Sequence, residues 1–360
     1  EPYRRQRQMC IRDSYKVLPE SQADYGRPTK MAARAYMAKV YLYQSKWKEC
    51  LEACDEVIQS GKYELFPDFR NVFLPENDNC SEIIFAIQLS INDGSPNNEN
   101  GSYGDRLLPP GGPYPVYGFL RPTQNLVNAY KTDVKGLPYN DGKDVSENDY
   151  VDVRLDHTLA RPNIPFMDVQ LYDWTPREAS VYGPYSPKKR LVSLNSTYYS
   201  PIWPYVNALN FYVIRYADLL LWRAEAAIET GDLETGRKYI NMIRERAKNT
   251  QHVKTMDQSQ DAANYKVGVY DEPFKSKNEA VQALRMERRL EMAHEGIRFF
   301  DLVRWGVADE VINAYIAKEK VFRSHLQNAH FVKGKHEYFP IPQSMIDICG
   351  TEVMKQNPGY

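Results

Sequence analysis

The stretch FYVIRYADLLLWRAEAAIETGDLETGRKYINMIRERAK, Phe211 to Lys248, decides the fold. From about Tyr212 to Glu229 it sets Val213, Leu220, Ala224, Ala227 and Ile228 on one stripe, which predicts an amphipathic helix. Thr230-Gly231-Asp232 then reads as a turn, with Gly231 suited to a left-handed stop and Asp232 to an N-cap. From Leu233 to about Ala247 a second helix brings Ile240, Ile243 and Ala247 back onto the first. The result is a helical hairpin of tetratricopeptide (TPR) size.

After a polar gap, NEAVQALRMERRLEMAHEGIRFFDLVRWG predicts a third helix from about Asn278 to Glu295, stopped by Gly296 and followed by a strongly aromatic turn. Its charges are unusual. Glu287, Glu291 and Glu295 follow one another at i,i+4, as do Arg285 and Arg289. Like charges at that spacing weaken an isolated helix by a few tenths of a kcal/mol per pair, roughly, so they call for partners on other elements. Arg285, Glu287, Arg288, Glu291 and Arg298 are therefore read as a semi-buried, structural ion network. Paired catalytic carboxylates fit less well, because an Arg within a helical turn of each Glu lowers its pKa instead of raising it towards 7.

Three blocks in this order, RYADLLLWRAEA, ERRLEMAHEGIRFFDLVRWG and YFPIPQSM…QNPGY, resemble the SusD/RagB family, and the likeness runs from about Tyr15 to Tyr360. DVRLDHTLARPNIPFMDVQLYDW…YGPYSPKKR resembles a subset of that family. Met345 stands where the family usually carries an acidic residue, and Asp152-Val153-Arg154 where related members read DPR. The resemblance implies a nutrient-binding lipoprotein on the extracellular face of the outer membrane in Bacteroidota. It would be lipid-anchored in the full-length protein, with a SusC-like TonB-dependent transporter as partner and a glycan as ligand. RagB-type relatives take peptides, so an oligopeptide is the alternative ligand.

Bulk properties exclude other classes. The 360 residues carry a net charge of −1 with no Lys/Arg block, which gives no footprint for nucleic acid. No apolar run is long enough to span a bilayer as a helix. Five cysteines at irregular spacing form no disulfide framework, and Cys50 and Cys54 at i,i+4 read as core. No metal-ligand spacing is present, the loop from Asn92 to Gly104 lacks the spacing of an EF-hand calcium loop, and no cofactor is expected.

The segment 1–14, EPYRRQRQMCIRDS, is basic and non-periodic and reads as foreign or disordered. Cys10 lacks the flanking residues of a lipoprotein cleavage site. Residues 15–75 read as the end of an N-terminal TPR region, and 76–360 as the SusD/RagB domain with a variable insertion over about 92–205. In the first part, Thr29 can cap a helix with Ala33, Tyr36, Met37, Val40 and Tyr41 on one face, and Trp47 to Gln59 forms its partner. This hairpin aligns with the later one, 186 residues on, and TPR pairs bury their faces only by stacking. With Tyr3 to Leu18 showing no amphipathic pattern, Ala33, Tyr36, Met37 or Tyr41 is expected to be exposed. Glu82 to Leu89 reads as a core strand, and prolines hold the C-terminal YFPIPQSM extended. The fold expected is mainly α: TPR-like hairpins in an α-α superhelix, with a long Pro/Tyr-rich loop insertion as ligand face.

Between Tyr103 and Tyr205 lie 12 of the 27 tyrosines and 13 of the 23 prolines, so long helices are excluded there. Stiff loops displaying aromatic rings suit a sugar, whose C–H face stacks on a ring while Asp, Asn or Arg takes the hydroxyls. The candidate ligand-binding residues are Trp174, Tyr172, Trp203, Tyr182 and Tyr185, with Asp173 and Arg177 beside Trp174. The plainer reading of any one tyrosine is a ring packed on the helices. Asp141, Asp144, Asp168, Asp173 and Glu178 could supply a glycosidase pair, but no spacing singles one out, and no nucleophile or phosphate-loop motif occurs. The chain is read as a binding protein, not an enzyme.

Overall fold

The computed structural model describes residues 2–104, 114, 117–167, 170–171, 176 and 178–360, with backbone alone for 2–8, 170 and 171. It divides into two compact units, 1–294 and 295–360. Three helices open the first: α1 (Pro2–Val17), α2 (Lys30–Tyr43) and α3 (Trp47–Gln59). Then come strand β1 (Ile83–Ile87), the loop-rich insertion, strand β2 (Phe211–Arg215), and helices α4 (Tyr216–Glu229), α5 (Leu233–Lys248) and α6 (Lys277–Glu291). Mostly helical, TPR-like architecture is what the sequence predicts.

The expected caps form. The Thr29 side chain accepts from the Ala32 N–H and that of Asp232 from the Thr235 N–H, and Gly231 turns the chain at φ +94°. The two hairpins stack on each other, α3 packing against α4, and α6 packs across α4 and α5. Cys50, Cys54, Leu220, Ala224, Ile240 and Ile243 are fully buried between them. All five cysteines are free.

Three departures from the sequence reading have physical causes. First, Phe211–Arg215 is a strand, not the start of the helix; it pairs antiparallel with β1, whose apolar run otherwise has no partner. Second, α6 ends at Glu291, short of Gly296. The Lys189 ammonium donates to the carbonyl oxygens of Glu291 (2.7 Å) and Ala293 (3.1 Å), satisfying groups that further helix would have used. Third, residues 2–17 form α1, whose Ile11 and Tyr15 pack against the first hairpin. Ala33, Met37 and Tyr41 are consequently buried and Tyr36 is half-buried, so the expected exposure does not occur. Tyr15 also donates its hydroxyl to Glu56 on α3.

A buried charge network joins these elements. Glu287 pairs with Arg154 (2.6 Å) and Arg244 (2.9 Å). Glu291 pairs with Arg154 (3.0 Å), Arg215 (3.2 Å) and Arg246 (2.5 Å). Glu82 binds Arg215 and Arg246, and Asp152 takes Arg154 through two nitrogens. Four carboxylates thus face four guanidiniums, and all eight residues are buried. Arg288 pairs instead with Asp218 (2.8 Å), and Arg285 is half-buried on the same helix. Arg298 lies in the second unit, over the Trp305 ring at 6.0 Å.

The second unit holds α7 (Arg298–Arg304), α8 (Ala308–Glu319) and α9 (Gln343–Cys349). The segment expected to stay extended after Pro340 enters α9 directly after Pro342, whose fixed φ suits a helix start. Gln356 exchanges hydrogen bonds with the Ile341 backbone, and Tyr360 donates to the Tyr338 carbonyl.

Candidate functional site

The insertion builds its surface from short hydrogen-bonded turns. A hairpin runs from Tyr199 to Asn207: Ser200 N–H donates to Val206 O, and Tyr205 N–H to Ile202 O (both 2.8 Å). Its base is fixed by Ser102 and Asn207, which exchange backbone hydrogen bonds of 2.7 and 3.0 Å. Gly101 lets the Ile91–Gly101 loop press against this hairpin, since a Cβ there would stand 2.8 Å from the Val206 side chain. The tip carries Ile202 and Trp203, 74% and 55% exposed. Half-buried Tyr205 meets the Trp203 ring edge-on, at 5.9 Å between centroids and 87° between planes. That contact orients the indole and leaves much of it in solvent.

Neighbouring segments add further rings. Tyr103 follows the Ser102 bridge, and Tyr198 accepts the Ala208 N–H through its carbonyl; both side chains are exposed. Phe211, at the start of β2, is also exposed, and the Arg190 guanidinium lies over its ring at 5.0 Å. Cationic planes on aromatic faces and exposed indoles can take the apolar face of a planar or cyclic ligand, with nearby polar groups taking its rim.

Of the residues predicted from sequence, Trp203 and Tyr182 are exposed. Tyr185 is half-buried and donates its hydroxyl to Gln124 (2.6 Å), while its carbonyl accepts from Arg121. Tyr172, Asp173, Trp174 and Arg177 lie outside the described residues. The structure brings Trp203 together with Tyr205 and places Tyr182 at the end of the short helix Ala179–Tyr182, with Tyr185 just beyond it. Ile202, Phe211 and Arg190 were missed. Phe211 had a signal: in FYVIR, strand alternation puts it and Val213 on the outer face, which a helical reading conceals.

Of the acidic candidates, Asp141 and Asp144 are committed to local structure, Glu178 is exposed, and Asp168 and Asp173 lie outside the described residues. Asp141 is held below its ordinary range by Lys131, and Asp144 accepts from Asn128. Burial pushes Asp78 up to about 6, yet this carboxylate accepts from the Tyr212 hydroxyl (2.8 Å) and the Asn210 N–H. In the loop at Asn92, Asp93 is taken by Ser90, Asn100 and the Ser95 N–H. Among the described residues no group of three or more His, Cys, Asp or Glu side chains is arranged to hold a metal ion.

Stacked helical hairpins carrying a loop-built aromatic surface define the class: a helical-repeat scaffold that displays exposed rings on its loops. The sequence family follows: the SusD family profile matches residues 81–360, and the chain belongs to that family. SusD-like protein P25 of Formosa agariphila is 25% identical over 355 residues, which cover 92% of this chain and 58% of that protein. The chain thus spans under two thirds of that relative. A SusD superfamily protein from Bacteroides vulgatus superposes with a TM-score of 0.69 at 24% identity, over 98% of this chain and 67% of the other. Surface glycan-binding protein A from Bacteroides thetaiotaomicron, in complex with laminarihexaose, gives 0.69 at 22%, over 98% and 70%.

Proposed function

We propose that this chain is a non-catalytic glycan-binding protein that captures an oligo- or polysaccharide at the cell surface and hands it to a SusC-like TonB-dependent transporter. The observation that carries the reading is Trp203. Its indole stands exposed on a hydrogen-bonded hairpin between two prolines, so little entropy is lost when a sugar ring stacks on it. Family membership supports it, as does the likeness in fold to a surface protein solved with laminarihexaose. The extracellular face of the outer membrane, with a lipid anchor in the full-length protein, is the location that goes with this role.

Glycan-array screening followed by titration calorimetry tests the proposal. Trp203→Ala should weaken binding of the best glycan about tenfold or more, equivalent to losing ~1.4 kcal/mol. Binding of oligopeptides with no glycan bound, or equal glycan affinity in the variant, would overturn it.

A further inference from the structure

A cavity of about 290 Å³ opens between the Arg70–Glu76 segment, the short helix Arg154–Thr158 and the Lys188–Ser196 segment. Its size is at the lower end of ligand pockets, about 300–1,000 Å³, which suits one sugar residue or a smaller group. Its wall is partly apolar, with Leu74, Val192 and Val253, and its polar groups include Arg70, Lys188 and His157 with a single acid, Glu76.

Lys188 is the anomaly. It is buried, and its ammonium donates to two neutral acceptors, the carbonyls of Asp156 (2.7 Å) and Pro165 (3.0 Å). An ammonium has three donors, and no carboxylate lies within ion-pairing distance of this one among the described residues. Asp156, the acid whose charge reaches Lys188, is committed to Arg161 (2.7 and 2.9 Å) and to the Tyr265 hydroxyl (2.7 Å). Glu76 is drawn to the Ser196 hydroxyl (3.3 Å). A buried charge with no counter-charge is costly, and burial accordingly pushes Lys188 down to about 7. His157 shares its Nε2 with the Gln251 carbonyl (2.8 Å), so that nitrogen carries the proton of the neutral ring. Burial and the nearby Lys188 hold it at about 4. The Ser193 hydroxyl accepts from the Asn195 N–H and keeps its own proton to donate.

We propose that this cavity is a subsite for the anionic group of an acidic saccharide, a carboxylate or a sulfate ester, with Lys188 as its ionic contact and Ser193 as a hydroxyl donor. The proposal rests on the glycan-binding reading and narrows it to uronic-acid or sulfated ligands. The anion supplies the counter-charge that the fold withholds from Lys188, and Arg70 at the cavity wall adds to the attraction. Above pH 7 the amine must take up a proton to pair with the anion, so affinity falls as pH rises. Asp156, Arg161, Arg70, Glu76 and His157 surround Lys188, and Asp68 acts on His157. His157, held at about 4, stays neutral across pH 6–8.5, and Lys188, at about 7, is the group that titrates in that range.

Calorimetric titration of the purified chain with glucuronate, glucose 6-sulfate, glucose and laminarihexaose tests this, at pH 6 and 8.5 and constant ionic strength. The acidic sugars should bind in preference to glucose, and more weakly at pH 8.5. Lys188→Met should weaken them about tenfold or more, the size of a lost charge-assisted hydrogen bond, and leave laminarihexaose unaffected. Ser193→Ala should weaken them by a smaller factor and serves if the first variant fails to fold. A preference for one acidic sugar identifies carboxylate or sulfate as the group taken. Equal binding of acidic and neutral sugars, or acidic-sugar affinity unchanged in both variants, would overturn the subsite alone. Acidic-sugar binding with no glycan bound at Trp203 would keep the subsite and sink the platform.

Discussion

At Arg154 three carboxylates, those of Asp152, Glu287 and Glu291, converge on one guanidinium that solvent does not reach. Removing it strands buried charge, which typically costs about 3–5 kcal/mol. Arg154→Met should therefore lower the denaturation free energy at pH 7 by about that much; an unchanged urea midpoint would show that the network is energetically idle. Acid should act on the same network. Burial pushes Glu291 and Asp152 upward, but Arg246, Arg215 and Arg154 outweigh it for Glu291, and Arg154 for Asp152, so both sit below the usual range. A carboxylate depressed in the folded state contributes stability that is full above its unfolded value, roughly 4, and is lost as pH falls through the folded value. Thermal melts should hold steady from pH 7 to about 5 and drop steeply below about 4, and a flat profile to pH 3 would contradict this. Glu287 and Glu291 were legible as groups needing outside partners, because like charges at i,i+4 do not support a lone helix. The partners were not: Arg154 lies 133 residues before Glu287, and nothing local marks it.

At the scale of elements, pattern was legible where an element is long and one face is buried, as in α2 to α5. It failed where two periods overlap. Tyr212–Arg215 fits a helical stripe and a strand equally, and only pairing with β1 decides between them. It failed again at α1, where two contacts one turn apart, Ile11 and Tyr15, are too few to register as an apolar stripe. The aromatic hairpin was legible as a stiff, displayed loop from its prolines, but which rings share it depended on the Ser102–Asn207 bridge. The covering role of α1 gives a prediction. Ile11→Glu with Tyr15→Glu should uncover Met37 and Tyr41 and cost about 2–4 kcal/mol from lost burial. Calorimetry should show a lower melting temperature and light scattering should show association; a monodisperse double variant melting with wild type would rule out that role.

For the whole molecule, the second unit exposes Phe322, Phe339, Ile348 and Val353, at 75%, 88%, 79% and 81%. Side chains this far into solvent add little to a folded core, and replacing one typically changes stability by about 0.5 kcal/mol or less. Phe339→Glu with Ile348→Glu should therefore leave the thermal melt close to that of the unaltered chain; a large drop in melting temperature would show that these side chains are packed in solution. The composition and the ordered blocks made the scaffold class legible, whereas the ligand face depends on loop-to-loop placement that a linear pattern does not encode. The charge network also bears on time as well as on energy. Its eight members come from segments between Glu82 and Glu291, and apart from Asp152 with Arg154 its pairs join residues at least 43 positions apart. Closing loops of such length costs entropy before any contact repays it, so these pairs belong to the last steps of folding. Interactions absent from the folding transition state act almost wholly on the rate of unfolding. The network therefore works as a latch: it does little to hasten assembly, and it sets how long the assembled scaffold persists.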